Sequence, residues 1–455
     1  MKKIYTLLFL ICVSSFSFSQ IIAGGAYHSL AVCTDGTARA WGWNNLGELG
    51  NNSTTDSNVP VTATALTGAT AVAGGYSHSI AVKNNGTAWA WGRNLEGQLG
   101  NGTNTDSWIP VQVSTITGVI AVSAGSYHSL ALKSDSTVWA WGYNLYGQLG
   151  VGNNIDNDSP ALITSLTGII AIAAGGFHCF ALKSDGTVWA WGRNNAGQLG
   201  NGNNTNTNVP VQVSSLTGIT AISRGFSHSL ARKNDGTVWA WGYNLQGQLG
   251  NGNNTDSNVP VQVNLLTGVT TIAGGGYHNL VLKNDGTLWI WGHNLYGQLG
   301  NGNNTNSNVP IQITSVTGII AIAGAGYHTL ALKNNGILYT WGDGVLGQLG
   351  NAGNTASNIP VQVTGLCQMI TEVDNASAVI NAVTVYPNPS KGIFSIEMEV
   401  GKSEIEIYNT LGERTLYQKL NSDKTEIDLS NLPKGIYFIK ILADDKIFTQ
   451  KIIIH

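Results

Sequence analysis

Three observations predict an all-β chain: a seven-bladed β-propeller followed by a small C-terminal β-sandwich. A 50-residue unit recurs seven times without one insertion or deletion. His falls at 28, 78, 128, 178, 228, 278 and 328, Trp-Gly begins at 41, 91, 141, 191, 241, 291 and 341, and Pro falls at 60, 110, 160, 210, 260, 310 and 360. Each unit carries four short strand signals, the mark of a propeller blade. The first and last copies are nearly as regular as the middle ones. A solenoid usually has atypical capping repeats at both ends, so a closed ring is the expected form.

The elements follow in chain order. Residues 1–19 read as a secretory signal peptide: Lys2 and Lys3 precede a mostly apolar stretch from Ile4 to Phe18, with Ser17 and Ser19 at the −3 and −1 positions of a cut before Gln20. No other segment approaches 18 apolar residues, so no transmembrane segment is expected in the mature chain.

The propeller is expected over 20–370. In the copy Ile272–Gly318, a small apolar strand comes first. HNLVLK then alternates, Asp285-Gly286 is a hairpin signal, and TLWIWG puts Trp289 and Trp291 on one face. A Gly- and Asn-rich loop leads to a fourth strand begun by Pro310, where no ladder donor is needed.

Composition agrees. Only 10% of the 455 residues are charged, 42% are apolar, and there are 58 Gly and 14 Trp. That describes a turn-rich β protein with a large core and excludes global disorder. A net charge of −3 lacks the basic footprint of a nucleic-acid binder, so no nucleic-acid partner is expected.

After about residue 371 the character changes. Residues 371–455 hold 12 Asp plus Glu and 9 Lys plus Arg, 21 of the chain's 47 charged residues. Residues 371–382 read as a linker. Residues 383–455 alternate in strands separated by Pro-Asn, Gly and Asn signals, as in a small sandwich.

Several chemistries can be weighed from the repeat. One His per blade places neighbours about 9 Å apart on a ring of about 10 Å radius, too far to share an ion held at about 2 Å, so no metal site is expected. Each His is expected to bond backbone and fix its blade. The Trp pairs read as core between blades, and the Gly of GQLG as a positive-φ or close-approach position. The Asn-rich loops lack clustered carboxylates and read as turns rather than calcium sites. No cofactor motif is present. His293, Asp343 and Glu96 would carry an enzyme reading, but no copy is singled out as nucleophile, base and orienter, so the protein is not expected to be an enzyme.

Residues that vary while the scaffold repeats are the candidates for function. The site after Trp-Gly holds Trp43, Arg93, Tyr143, Arg193, Tyr243, His293 and Asp343; three residues on lie Leu46, Glu96, Tyr146, Ala196, Gln246, Tyr296 and Leu346. These pairs are expected to crown one face. Tyr, Trp and Arg are enriched in binding hot spots, so Trp43, Arg93, Tyr143, Arg193, Tyr243 and His293 form the candidate binding set, with Trp108 and Arg224 as further departures from the repeat.

The motif GxxHSLALKxDGTVWAWGxNxxGQLG resembles the repeat of the regulator of chromosome condensation family, over residues 22 to about 366. The resemblance implies a seven-bladed propeller, and if its structural blades are out of phase with the sequence repeat, one blade combines strands from both ends and latches the ring. In such a ring Cys33 and Cys367 would approach one another as a closing disulfide, while Cys179 reads as core. The tail resembles the type A sorting domain of the type IX secretion system. Pro387-Asn388-Pro389 with Gly392 and Phe394, Leu432-Pro433-Lys434-Gly435-Ile436-Tyr437 and the Lys-Ile-Ile-Ile end carry that match.

The tail resemblance implies a Bacteroidetes-type bacterium, Sec export, contact with the type IX machinery, and release from or attachment to the outer surface. The expected function is therefore a secreted or cell-surface binding protein for an extracellular protein or glycan. The alternative is a secreted enzyme inhibitor, because the resemblance includes a bacterial propeller that inhibits β-lactamase. Guanine-nucleotide exchange, the founding activity of the family, ranks last: export removes its substrate, and the uniform copies leave no inserted wedge.

Overall fold

The computed structural model describes residues 21–369, 384–386, 390–397, 403–409, 414–420, 422, 424–443 and 446–454. The expected signal peptide (1–19), the linker (371–382) and the sorting residues Pro387, Asn388 and Pro389 lie outside the described residues. The chain divides into two compact units, one of residues 17–371 and one that includes 372–455.

The first unit consists of seven four-stranded antiparallel sheets. Blade one has β1 (Ile22–Gly24), β2 (His28–Val32), β3 (Ala38–Gly42) and β4 (Ser57–Thr62), hydrogen-bonded in that order. The six other blades repeat this meander. The first strands of the blades touch one another in a cycle, and β1 meets the first strand of blade seven, Ile319–Gly324, so the ring is closed.

Every blade is made of four consecutive strands, so no blade mixes whole strands from the two ends, as the resemblance had implied. What the ends share is the edge of blade one. β1 has three residues where its counterparts have six. Met369 completes it by pairing with Cys33, as Ala69 pairs with Lys83 in blade two. Thr34 N–H donates to Gln368 O at 3.0 Å, as Asn84 N–H donates to Gly68 O at 2.8 Å. The reason is phase: residues 368 and 369 hold the repeat positions of 18 and 19, so the chain's continuation fills the place its own beginning leaves. Cys33 and Cys367 are joined there as a disulfide, with Cα atoms 5.8 Å apart.

Hydrophobic clusters span the seams between blades. Ile80, Leu99 and Val113 of blade two pack with Val122, Ala131 and Trp141 of blade three. The Trp of the Trp-Gly dipeptide is fully buried in all seven blades. Its indole N–H donates across the seam: Trp91 Nε1 to Glu48 O at 2.8 Å, Trp141 Nε1 to Gln98 O at 2.9 Å, and Trp41 Nε1 to Gln348 O at 3.0 Å. Gly at position 50 of the repeat permits this. A Cβ on Gly100, at φ +67°, would lie 2.5 Å from Trp141 Nε1.

The same carbonyls accept a second bond. Ser79 Oγ donates to Glu48 O at 2.8 Å, and Ser129 Oγ to Gln98 O at 3.0 Å. Each such residue also meets the His of the preceding blade. The pairs are His28–Ser79 (2.9 Å), His78–Ser129 (2.9 Å), His128–Cys179 (3.0 Å), His178–Ser229 (3.4 Å), His228–Asn279 (2.7 Å), His278–Thr329 (2.8 Å) and His328–Ser29 (2.7 Å).

The His side chain therefore bonds a neighbouring blade's side chain, not backbone as the repeat suggested. Because each partner commits its own hydrogen to the carbonyl, or in Asn279 offers only an oxygen, the His must donate. That fixes the neutral tautomer protonated at Nε2. All seven rings are buried, and burial pushes His28 and His228 down to about 4, and His78, His128, His278 and His328 down to about 3.

The second unit has a three-stranded sheet (Thr384–Tyr386, Ile393–Glu397, Lys424–Asp428) and a four-stranded sheet (Arg414–Leu420, Ser403–Asn409, Gly435–Ala443, Lys446–Ile454). Val385, Phe394 and Ile396 of one share a core with Ile405, Ile407, Tyr437 and Ile439 of the other.

Candidate binding face

Two loops from every blade meet on one face: the turn before the repeated His, and the loop after Trp-Gly. The first supplies an aromatic ring in each blade, at Tyr27, Tyr76, Tyr127, Phe177, Phe226, Tyr277 and Tyr327. Neighbours touch around the mouth: Tyr27–Tyr76 at 5.6 Å between centroids, Tyr76–Tyr127 at 5.7 Å, Tyr127–Phe177 at 6.2 Å, Phe226–Tyr277 at 5.4 Å, Tyr277–Tyr327 at 5.7 Å and Tyr27–Tyr327 at 5.6 Å. Tyr76 and Phe226 meet across the middle at 6.3 Å and cap the channel. All seven rings are half-buried. Burial raises the phenols of Tyr27 and Tyr277, and that of Tyr327 to about 12, so they remain neutral donors.

The six residues chosen after Trp-Gly stand around this rosette and touch it. Trp43 meets Tyr27 at 5.9 Å, Tyr143 meets Phe177 at 6.0 Å, and Tyr243 and His293 meet Tyr277 at 6.4 and 6.1 Å. The guanidinium of Arg93 lies 5.0 Å from the Tyr127 ring centre, and that of Arg193 lies 5.3 Å from Tyr146 and 5.9 Å from Phe177.

Arg93 is neutralised by Glu96 through two bonds, at 3.2 and 2.6 Å. Burial would raise the Glu96 carboxyl, but the bonds from Arg93 and Gln98 hold it below its ordinary value. Burial lowers His293, whose Nδ1 lies 2.7 Å from Gln298 Nε2.

An Asn holds this loop in blades one to six. Asn44 Nδ2 donates to Ser53 O and Thr55 O, both at 2.9 Å, while its Oδ1 accepts Leu49 N–H at 2.9 Å and its own N–H donates to Asp56 at 2.7 Å. Blade seven has Gly344 there, where a Cβ would lie 2.2 Å from Thr355 O. At the loop tips Leu95, Leu145, Leu245, Leu295 and Val345 are 57–64% exposed.

Other candidates lie elsewhere. Arg224 is in the first strand of blade five and points into the channel, where its Nη2 donates to Ala124 O at 3.0 Å; burial lowers it to about 10. With Gly24, Gly74 and Gly125 it lines the narrow channel. Trp108 is 50% exposed on the outer strand of blade two, against the Gly47 loop of blade one, rather than in the rosette. Asp343 is buried.

In the tail, Gly392 (φ +103°) lies against Ser430, Gly435 opens a strand, and the buried Tyr437 donates to Pro433 O at 2.7 Å. Among the described residues no group of three His, Cys, Asp or Glu could hold a metal.

Sequence reasoning missed two sets. The rosette falls at 26 in blades two and five and at 27 in the others, so it forms no single column; the signal was an aromatic within two residues of every repeated His. The Leu tips sit between two positions that were singled out. A third omission is Glu48, where six siblings have Gln. It is fully buried, Oε2 accepts Leu46 N–H at 2.9 Å, and Oε1 has no partner among the described residues. Burial pushes its carboxyl up to about 7.

Seven four-stranded blades closed at a shared first-blade edge, with a sandwich tail, define a propeller protein carrying a second, β-sandwich module. The RCC1-like domain model matches residues 106–271 and 165–386, and RCC1 repeat models match 20–48, 69–98 and 35–82. The chain belongs to the RCC1-like propeller family. Residues 384–455 match the secretion system C-terminal sorting domain, which places the protein in type IX export to the cell surface or beyond.

Human WBSCR16 is similar in structure (26% identity, TM-score 0.66, covering 72% of this chain and 94% of that one). Prp20p of Saccharomyces cerevisiae, described with its binding properties to Gsp1p and histones, shares 23% identity and a TM-score of 0.64 over 71% of this chain and 84% of that one. A structure of yeast RCC1 (Prp20) with Kap60 gives 21%, 0.66, 85% and 94%. These two show the fold alone. No curated protein matches significantly.

Proposed function

We propose that the propeller is an exported docking protein, not an enzyme, that binds a partner through the aromatic face. The observation that carries this reading is the set of exposed aliphatic tips around half-buried rings on loops held by their own Asn network. Exposed apolar groups gathered on one face mark an interaction surface, and Tyr, Trp and Arg on rigid loops lose little entropy on binding. The binding of Gsp1p and histones described for Prp20p is not carried over, since an exported chain is parted from such partners.

Affinity capture with the mature chain, followed by titration of the captured partner, tests this. Tyr143→Ala and Leu145→Ala together are expected to weaken binding by roughly 30-fold or more, about 2 kcal/mol for a central hot spot. Unchanged affinity would refute the face. If the captured partner is a secreted enzyme, assaying it with and without the propeller shows whether docking inhibits it.

A further inference from the structure

We infer that Arg193 receives a carboxylate from the docked partner, an acidic side chain set in an apolar patch of a protein surface. The inference rests on the docking reading above. Blades two and four carry the same cation at the same repeat position, but only one has its counter-ion. In blade two, Arg93 is followed three residues on by Glu96, which takes both of its near donors. In blade four the residue three on is Ala196.

Arg193 forms no ion pair among the described residues. Its Nε donates to Asn195 Oδ1 at 2.6 Å, which aims the group, and the rings of Tyr146 and Phe177 flank it. Neither Nη atom has a hydrogen-bond partner among the described residues. The result is a planar fork, oriented and flanked by rings, at a place where the sibling blade shows a carboxylate fits. A guanidinium in this state matches a carboxylate in two-bond geometry.

The surroundings select a protein rather than an acidic sugar. Leu145, 57% exposed, and Leu245, 62% exposed, stand at the loop tips of the two blades that flank blade four and need apolar surface opposite them. Hydroxyl-lined saccharides would lose hydrogen bonds to water against those side chains.

The test pans a phage-displayed library of disulfide-cyclised peptides on the mature chain and titrates synthetic copies of the enriched sequences. Enriched peptides are expected to carry Asp or Glu beside aliphatic or aromatic residues. Their affinity should fall at least tenfold on Arg193→Ala, and at least tenfold on Ala196→Glu, which rebuilds the internal pair of blade two without removing a group. Exchanging the peptide's Glu for Gln should cost the same and should cost nothing further in the Ala196→Glu protein.

Peptides that bind the face, as shown by loss on Tyr143→Ala, but lack an acid or ignore both Arg193→Ala and Ala196→Glu would overturn this inference and leave the docking reading standing. Failure to enrich any face-binding peptide overturns both. Arg193-dependent binding of polygalacturonate, with no acidic peptide enriched, would overturn the assignment to a protein.

Discussion

Replacing Glu48 by Gln should stabilise the propeller at pH 8 and do much less at pH 5. The carboxyl titrates near 4.5 in the unfolded chain and near 7 in the folded one, because burial disfavours its charge. Between those values the folded state keeps a proton that the unfolded state has released, so stability falls as pH rises through that window and levels off above 7. Integrating over the two values gives a cost of about 1 kcal/mol at pH 5 and about 3 kcal/mol at pH 8. Gln carries no such cost. The variant's advantage over the natural chain should therefore grow by about 2 kcal/mol between the two pH values. Urea unfolding followed by Trp fluorescence reads this directly, since all 14 Trp lie in the propeller and none in 371–455. Stability profiles of the two proteins that run parallel from pH 5 to pH 8 would show that Glu48 is not held neutral by burial, and the reasoning would fail.

Three other outcomes are expected. The buried His rings, titrating near 6.5 when unfolded and about 3 to 4 when folded, contribute stability that is present above pH 6.5 and lost as pH falls toward 4; the slope of unfolding free energy against pH at pH 5 should correspond to several protons taken up on unfolding, and a flat profile from 6.5 to 5 would contradict the neutral tautomer. Cys33→Ser with Cys367→Ser opens a loop spanning 334 residues of sequence, and the chain-entropy relation gives a loss of up to about 6 kcal/mol, visible as a lower urea midpoint that dithiothreitol no longer changes. Cys179→Ser restores the hydroxyl found in most blades between His128 and the Gln148 carbonyl, so it should be neutral or stabilising by up to about 1 kcal/mol, and a loss above about 2 kcal/mol in thermal unfolding would show that the sulfur packs in a way the hydroxyl cannot match.

The blade was legible because its chemistry is columnar. Trp41, His28 and their equivalents recur at one interval, and strand alternation around them is unbroken. The His partner was less legible, since it lies 51 residues on and is Ser, Cys, Asn or Thr, residues that read singly as ordinary strand polars. The first-blade edge was hidden for a different reason: Gln368 and Met369 have no strand pattern of their own and acquire one only by occupying an empty ladder position beside Cys33. For the face, the position after Trp-Gly stood out because it varies against a constant frame. The rosette did not, because Tyr76 and Phe226 are displaced by one residue from their siblings. Arg224 could not be placed from sequence, since channel-facing and loop-facing departures look alike until the strand's orientation is known.

The carbonyl at position 48 of each unit fixes the length of the stretch that joins it to Trp-Gly in all seven copies. That oxygen ends a surface loop, yet it receives an indole hydrogen and, beside it, a hydroxyl, thiol or amide hydrogen from the next blade. One residue added between the Trp-Gly pair and that oxygen would displace it and strand two buried donors in a neighbour that had not itself changed. Each blade thus gauges the one before it, all the way round. Such a frame admits new specificity by exchanging side chains at fixed stations and resists acquiring it by growth of loops.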